Sequence, residues 1–355
     1  MSMGKQVLRV MILAAAWLLL TAASGRAVES VETTAKEKPI VRGRIVGITP
    51  QQVEVELANS GGATRQIAVN EIKKVMFEDE PRGLFDARAS IANGDYGQAL
   101  ERLEKLTAAD IGKRETVNTE VEYFKAYCAA ELALSGNGDI TEAGGRMLAF
   151  VKAHDTSYHY LQACELVGNL LVAKGAYSQA EPYYRKLAEA PWPDYKMRAG
   201  IAVGRALLAQ GKAAAAAKAF DEVIANDAAG DLADAQRLMA KVGKARAMAS
   251  GTQVDAAIGA LQKIIDEAPE GDEELHAQAF NALGTALRKA RKPQEALLAF
   301  LHVDLLYNSN PEAHAEALAN LEQLFVELHK PEHAKRIRAT LDERYKNSRW
   351  ATGSK

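Results

Sequence analysis

Alternating hydrophobic and polar residues mark the first structured part of the chain. Four short runs show this alternation, at residues 41–46, 53–57, 67–69 and 75–77. Thr49-Pro50 and Gly61-Gly62 separate the first three runs. A period of two indicates strands that bury one face. The pattern therefore predicts a small β module of four strands over residues 39–80.

Two flanking stretches are polar and lack a hydrophobic period. Residues 28–38 precede the β module, and we predict a flexible tether there. Residues 346–355 end the chain, and we predict a disordered tail. Polar segments without a hydrophobic period are typical of loops and tethers.

From Leu84 onward the hydrophobic period becomes helical, and the pattern repeats. Three units align on the glycines Gly168, Gly204 and Gly284. In each unit, small or apolar residues follow the glycine at offsets of 3, 9, 12, 16 and 19. The residue at offset 12 is always an alanine: Ala180, Ala216 or Ala296. The residue at offset 16 is always aromatic: Tyr184, Phe220 or Phe300. The small residues predict close helix contacts, and the rings fill the gap to the next unit.

Weaker copies of the unit flank these three. Their alanines at the same position are Ala99, Ala143, Ala257 and Ala334. We align the copy before Ala257 on Gly243, which requires a lengthened turn, and the last copy lacks the glycine. Repeated units of this kind predict an array of about six to seven helix-turn-helix pairs over residues 81–345.

The repeated unit resembles the tetratricopeptide repeat, a helix-turn-helix unit of about 34 residues with small residues at fixed points. The resemblance implies a mainly α fold: an α-solenoid forming a right-handed superhelix of helix-turn-helix units. The strand order of the β module resembles a small SH3-like or Sm-like barrel. We therefore expect a small β-barrel or β-meander before the array. An irregular helical bundle is the alternative.

The N-terminus has the pattern of a signal peptide. Lys5 and Arg9 precede a continuous apolar run over residues 10–23, which is too short to span a bilayer as a helix. Ala27 is the predicted last residue of a signal over residues 1–27, and no cysteine follows the run for lipid attachment. We expect an exported chain, periplasmic or secreted, with no stable membrane insertion after cleavage. An uncleaved anchor is the alternative.

Charge and cysteine content narrow the function classes. The net charge of −2 gives no basic footprint, so we expect no nucleic-acid partner. The two cysteines, Cys128 and Cys164, are too few for a disulfide framework. We expect both to be buried thiols, although in an oxidising compartment they could form a bridge.

The chain lacks the motifs of common catalytic and cofactor sites. It contains no phosphate-binding loop, dinucleotide fingerprint, zinc-protease motif, nucleophile elbow or CxxC pair. His154, Asp155 and His159 lie close in sequence, but no further ligand stands at a recognisable spacing. We therefore expect no catalytic residues, no metal and no cofactor.

The resemblance also implies a binding surface, since such arrays bind peptides or partner helices on the concave face formed by their first helices. Counting from each anchoring glycine, this face takes the residues 6, 3 and 2 before it and 1, 4 and 5 after it. The chain is net acidic, yet bases dominate these positions. The candidate partner-binding residues are Asn169, Arg198, Arg205, Arg237, Lys241, Lys244, Arg288 and Lys289.

These observations favour a non-catalytic protein-interaction scaffold of the cell envelope, which binds a protein or an acidic peptide in the groove. One alternative is an envelope enzyme or its accessory subunit, with a site between the β module and the array. A structural spacer is the other alternative. The sequence does not give the partner or the oligomeric state.

Overall fold

The computed structural model describes residues 29–58 and 60–353. The predicted signal peptide lies outside the described residues. Within them, the chain divides into two compact units. The first contains the strands up to Gly47 and from Val53 to Glu80, and the second contains Ile48–Gln52 and the helices from Pro81 onward.

The strand unit is a five-stranded antiparallel sheet with the order β4-β3-β2-β1-β5. The strands are β1 (Glu29–Thr33), β2 (Ile40–Ile48), β3 (Gln52–Leu57), β4 (Thr64–Ala68) and β5 (Ile72–Met76). A short 3₁₀ turn, Val69–Glu71, leads into β5. Alternate side chains of the strands are buried, as the period of two predicts, and the buried set includes Val31, Val53 and Val75.

The first strand corrects the predicted tether over residues 28–38. Residues Glu29–Thr33 form β1, which pairs with β2 on one side and β5 on the other. Val31 is fully buried. The segment looked polar because only one side chain in two faces the core. The sheet therefore has five strands where four were predicted, and the likeness to an SH3-like or Sm-like barrel stays a prediction.

Sixteen helices follow in the described residues. The first half comprises α1 (Arg82–Ala92), α2 (Tyr96–Glu104), α3 (Ala108–Ile111), α4 (Glu115–Leu134), α5 (Ile140–Ala153), α6 (Tyr160–Ala173), α7 (Tyr177–Ala188) and α8 (Pro193–Ala209). The second half comprises α9 (Ala213–Ile224), α10 (Asp231–Ser250), α11 (Val254–Glu267), α12 (Glu273–Lys289), α13 (Pro293–Leu306), α14 (Pro311–Glu327), α15 (Pro331–Tyr345) and α16 (Arg349–Thr352).

Consecutive helices pack against each other as helical hairpins, and each hairpin packs against the next in a tetratricopeptide-like array. The short helices α3 and α16 stand outside the pairing. The predicted small residues lie at the helix contacts, and Ala180, Ala216, Ala257 and Ala296 are fully buried. The helical array is thus confirmed.

The anchoring glycines make room for aromatic rings. A Cβ atom on Gly168 would lie 2.4 Å from the Tyr184 ring, and one on Gly204 would lie 2.6 Å from the Phe220 ring. Gly284 and Phe300 repeat this arrangement at 2.7 Å. Glycine is required at these positions because any side chain would collide with the ring of the second helix of the same unit.

A buried polar cluster joins α1, α4 and the loop before α6. Glu120 accepts hydrogen bonds from Arg88 Nη2 at 2.7 Å and from the Tyr158 hydroxyl at 2.7 Å. His159 Nε2 lies 2.9 Å from the same carboxylate, and its ring stacks on Tyr123. The cluster places a charged side chain in the interior with every carboxylate oxygen partnered.

The predicted disordered tail over residues 346–355 is also corrected for its described part. Ser348 caps α16 by accepting a hydrogen bond from the Ala351 amide, and both residues are buried. Arg349 Nη2 bonds Glu312 at 2.6 Å, and the Arg338 guanidinium bonds the Ala351 carbonyl. We call residues 346–353 the strap, since they continue beyond the last long helix along α14 and α15.

The two cysteines are free thiols in the interior. Burial raises the pKa of Cys128 to about 12 and that of Cys164 to about 11, so both stay protonated at neutral pH. Within the described ranges, we find no helix whose length and apolar character would suit a bilayer crossing.

Candidate functional site

The inner faces of the first helices meet at one cleft of about 420 Å³ in the helical unit. The unit anchored on Gly204 contributes Ala202, Arg205, Leu208 and Ala209. The unit anchored on Gly168 contributes Asn169, Val172 and Ala173, and the unit anchored on Gly284 contributes Gln278, Ala282 and Thr285. All ten occupy positions that the counting rule assigns to the concave face.

The unit between Gly204 and Gly284 follows the same rule from a different anchor. Its cleft residues are Met239, Val242, Gly243, Arg246, Ala249 and Ser250. These are the positions 6, 3 and 2 before and 1, 4 and 5 after Ala245, not Gly243. The turn between α10 and α11 is three residues long, as is the turn between α8 and α9, so the turn after α10 is not lengthened. The alignment on Gly243 was wrong by two residues.

Gly243 has another reason to be glycine. A Cβ atom there would lie 2.4 Å from the ring of Phe220, which belongs to the preceding unit. The same ring also packs on Gly204. Gly243 therefore serves the contact between units, while the buried Ala245 takes the anchoring position within its own unit.

The position immediately after the anchor forms a polar row along the cleft. The row consists of Asn169, Arg205, Arg246 and Thr285 from α6, α8, α10 and α12. Asn169 Oδ1 accepts a hydrogen bond of 2.9 Å from the Tyr184 hydroxyl. This bond fixes the orientation of the amide and turns its NH₂ group away from Tyr184. Four consecutive repeats thus present one hydrogen-bonding side chain each to the same space.

Glu312, Glu316, Arg349 and Trp350 lie on the other side of the cleft. Glu316 pairs with Arg246 at 3.0 Å, and Glu312 pairs with Arg349 at 2.6 Å. Arg205 is exposed and has no hydrogen-bond or ion-pair partner among the described residues. Three bases against two acids leave the cleft with one uncompensated positive charge, at Arg205.

Two further donors in the cleft lack acceptors. Arg246 Nε and Trp350 Nε1 are buried atoms without a hydrogen-bond partner among the described residues. A buried donor left unpaired costs about 1–3 kcal/mol, which a ligand acceptor would offset. The apolar part of the lining comes from Val172, Leu208 and Met239. The cleft therefore suits a ligand that offers both hydrogen-bond acceptors and apolar groups.

Of the eight predicted binding residues, the structure brings only Asn169 and Arg205 into the cleft. Arg198 instead pairs with Glu165 of α6 and lies over the Tyr195 ring. Lys244 pairs with Asp221 of α9 at 2.6 Å. Both bases tie neighbouring units together.

Three more of the predicted bases serve the packing of the array. Arg237 donates to the carbonyls of Asn226 and Ala228 and pairs with Asp234, which fixes the loop before α10. Arg288 bonds Gln323 at 2.6 Å and pairs with Glu327 of α14. Lys289 Nζ donates to three carbonyls at the end of α10, between 2.7 and 2.8 Å.

Lys241 is exposed, lies outside the cleft and has no partner among the residues that the structure describes. As a set lining one concave face, the eight residues are therefore not brought together. Arg246, which the misplaced anchor excluded, is the base that sequence reasoning missed. The turns after α8 and after α10 have the same length, and this regular spacing was the signal that could have found it.

The partly buried carboxylate of Glu131 stands one turn before Leu134, which lines the cleft. Burial raises the pKa of Glu131 to about 7, opposed by a hydrogen bond with Tyr127 and reinforced by Glu312, Glu274 and Glu165. Glu131 therefore carries only part of a negative charge near neutral pH.

A second groove, of about 470 Å³, lies between α7, α8 and α9. Its charged lining consists of Glu181, Glu222, Arg185 and Lys196, which sum to zero. Arg185 pairs with Glu181 at 2.8 Å. The central cleft differs from this outer groove by its uncompensated charge and its unpaired donors.

The two histidines that lie near one another in the sequence each pair with a glutamate, His159 in the interior and His154 nearer the surface. His159 bonds Glu120, and His154 Nε2 lies 2.7 Å from Glu122. Among residues 29–58 and 60–353, no three histidine, cysteine, aspartate or glutamate side chains converge as a metal site would require.

Comparison with known proteins agrees with this architecture. The family model of the tetratricopeptide repeat matches residues 201–272. No curated protein sequence matches the chain. The fold is similar to that of a Rap protein complexed with competence and sporulation factor, with a TM-score of 0.53, 12% identity and 74% of each chain covered.

Two other solved structures are similar. The Rap conjugation gene regulator of plasmid pLS20, in complex with the Phr* peptide, has a TM-score of 0.53 and 12% identity over 74% of each chain. A tetratricopeptide repeat protein from Parabacteroides merdae has a TM-score of 0.46 and 14% identity, over 74% of this chain and 92% of that one. These likenesses concern the fold.

Proposed function

We propose that the protein is a non-catalytic interaction scaffold that binds an acidic peptide segment in the central cleft. The observation that carries this proposal is the polar row at the position after each anchor, which four consecutive repeats direct into one space around the unpaired Arg205. A regular row of this kind suits a ligand that is itself regular, namely an extended chain with a repeated backbone.

The charge balance favours acidic side chains in that chain. The two carboxylates of the cleft are already paired with Arg246 and Arg349, so a basic ligand would meet no free acid there. An acidic ligand would pair with Arg205 without breaking either ion pair. Its carbonyl and carboxylate oxygens also supply the acceptors that Arg246 Nε and Trp350 Nε1 lack.

Structures of similar fold support a peptide ligand. The two Rap structures with a TM-score of 0.53 are complexes, one with competence and sporulation factor and one with the Phr* peptide. The signal-like N-terminus supports a location outside the cytoplasm. We therefore place the scaffold in the cell envelope, as an exported protein.

The test uses fluorescein-labelled octapeptides in which glutamate alternates with leucine, with a glutamine-leucine octapeptide as the neutral control. Fluorescence anisotropy gives the affinity. We expect the acidic probe to bind at least tenfold more tightly than the neutral one, and the difference to shrink as salt screens the charges. Equal binding of both probes would contradict the proposal.

Arg205 and Lys241 offer a matched pair of variants. Both are exposed bases without a partner among the described residues, but only Arg205 lines the cleft. Arg205→Glu should weaken the acidic probe by at least tenfold, because it replaces attraction with repulsion. Lys241→Glu makes the same charge change and should leave the affinity unchanged. Equal losses of affinity in both variants would favour a non-specific charge effect. If neither the wild-type chain nor the variants bind the probe, a structural spacer or an enzyme is favoured.

A further inference from the structure

The strap joins the two ends of the cleft wall. On one side it is held by α14 and α15 through the Arg349–Glu312 ion pair and the Arg338–Ala351 hydrogen bond. Ala351 also packs in a buried cluster with Ala315 and Leu318 of α14. On the other side, the strap reaches the turn between α4 and α5.

The crossing contact between strap and turn is small and sterically strict. The Asn347 amide donates a hydrogen bond of 2.8 Å to the Gly136 carbonyl. Gly136 has a φ of +80°, and a Cβ atom there would lie 2.0 Å from the Ser348 amide nitrogen. Main chain thus meets main chain, and a side chain at position 136 would force the two apart.

This contact completes the enclosure of the cleft. Leu134, just before the turn, lines the cleft from α4, and Arg349 and Trp350 line it from the strap. The inner faces of α6, α8, α10, α12 and α14, together with Tyr184 of α7, supply the rest of the wall. The first and last parts of the lining therefore meet where Asn347 bonds Gly136.

The two sides of the strap are held unequally. Towards α14 and α15 it has an ion pair, a side-chain hydrogen bond and buried apolar contacts, whereas a main-chain hydrogen bond crosses to the turn. Separation at the turn breaks the weaker set and leaves the stronger one intact. A break there would open the wall from the side.

We propose that the contact between the strap and Gly136 is a gate, which opens to admit the acidic segment sideways and closes around it. This inference rests on the proposed function. While the gate is closed, a peptide with a free end can enter end-on, but a segment held between two folded domains cannot. The gate therefore decides whether internal segments of a partner protein can be bound.

The test compares two probes that share the glutamate-leucine octapeptide. One is the free peptide, and the other carries a folded fluorescent protein at each end. In stopped-flow measurements, we expect the flanked probe to associate with the wild-type chain at least tenfold more slowly than the free peptide. Equal association rates would overturn the gate, even though binding itself would uphold the proposed function.

Gly136→Val should abolish this difference in rate, because its side chain prevents closure. The matched control is Gly175→Val, since Gly175 has a φ of +78° but nothing within 4 Å of its Cβ position. The control carries the same backbone strain and should keep the tenfold difference. Loss of the difference in both variants, or in neither, would contradict the proposal.

A second variant and a second measurement keep the test decisive if Gly136→Val fails to fold. Asn347→Pro removes the donated amide from the other side of the contact and should give the same rates as Gly136→Val.

In the wild-type chain, hydrogen exchange at the Asn347 amide should be at least tenfold faster than in the core of α14, and the bound probe should slow it. Exchange only at the rate of the α14 core would show that the strap does not open by itself. If neither probe binds, the proposed function fails and the gate fails with it.

Discussion

Arg198 and Arg205 lie on the same helix and are the same residue type, yet only one is free to bind a ligand. Arg198 is held by Glu165 from the preceding unit, whereas Arg205 faces the cleft without a partner. The sequence predicts that both lie on the first-helix surface. It does not predict which of them finds a carboxylate 33 residues away, because that pairing depends on how the units stack.

Glu120 is the residue whose loss should affect stability most clearly. Glu120→Gln removes one carboxylate from a buried ion pair with the Arg88 guanidinium, and breaking a comparable buried pair costs about 3–5 kcal/mol. Urea unfolding monitored by circular dichroism would measure this loss. The control is Glu101→Gln, which removes an exposed pair with Lys105 and should have no measurable effect. A similar free energy of unfolding for both variants would contradict the prediction.

The same carboxylate predicts a pH dependence. Burial raises the pKa of Glu120, but His159 and Arg88 outweigh burial and lower the pKa from 4.5 to about 2. A lowered pKa means that the ionised form stabilises the fold above pH 4.5, and that this contribution is lost as pH falls from 4.5 to about 2. The difference in stability between the wild-type chain and Glu120→Gln should therefore shrink over this interval. A difference that stays constant down to pH 2 would show that the charge of Glu120 does not matter.

At the scale of the helices, the regular spacing between repeats was a better guide to their alignment than the identity of a single residue. Three units could be aligned correctly on glycine because the ring at offset 16 packs on that glycine. In α10, Gly243 packs against the Phe220 ring of the preceding unit. An alignment of α10 on this glycine therefore gives the wrong register. The position of Ala257 relative to the start of α11 matches that of Ala216 in α9, and this spacing gives the correct anchor, Ala245.

The contact between ring and glycine predicts opposite effects for two glycine-to-alanine substitutions. Gly204→Ala places a methyl group against the Phe220 ring and should destabilise the fold by about 1–3 kcal/mol. Gly145→Ala, in α5, meets nothing within 4 Å and should stabilise by about 1 kcal/mol, because alanine favours the helix. Thermal melts of the two variants would test this. The reverse order of melting temperatures would contradict the assigned contact.

At the scale of the whole molecule, local patterns predicted the strand-then-helix order and the repeated array. They failed where long-range contacts order a polar segment. Glu29–Thr33 became a strand because β2 and β5 pair with it, and the strap became ordered because α14, α15 and Gly136 hold it. The cleft shows both outcomes. The wall formed by the repeated helices could be predicted from the sequence, whereas the wall formed by the strap could not.

The central claim is that a peptide binds in the cleft and not in the outer groove, and the chain offers a methionine in each. Met239 lines the cleft, and Met197 lines the outer groove. A glutamate-leucine octapeptide carrying one benzophenone side chain would be cross-linked by light, digested and located by mass spectrometry. We predict cross-links to α10 at Met239 and to neighbouring cleft residues, which excess unlabelled peptide removes. Cross-links concentrated on the residues that line the outer groove would contradict the account.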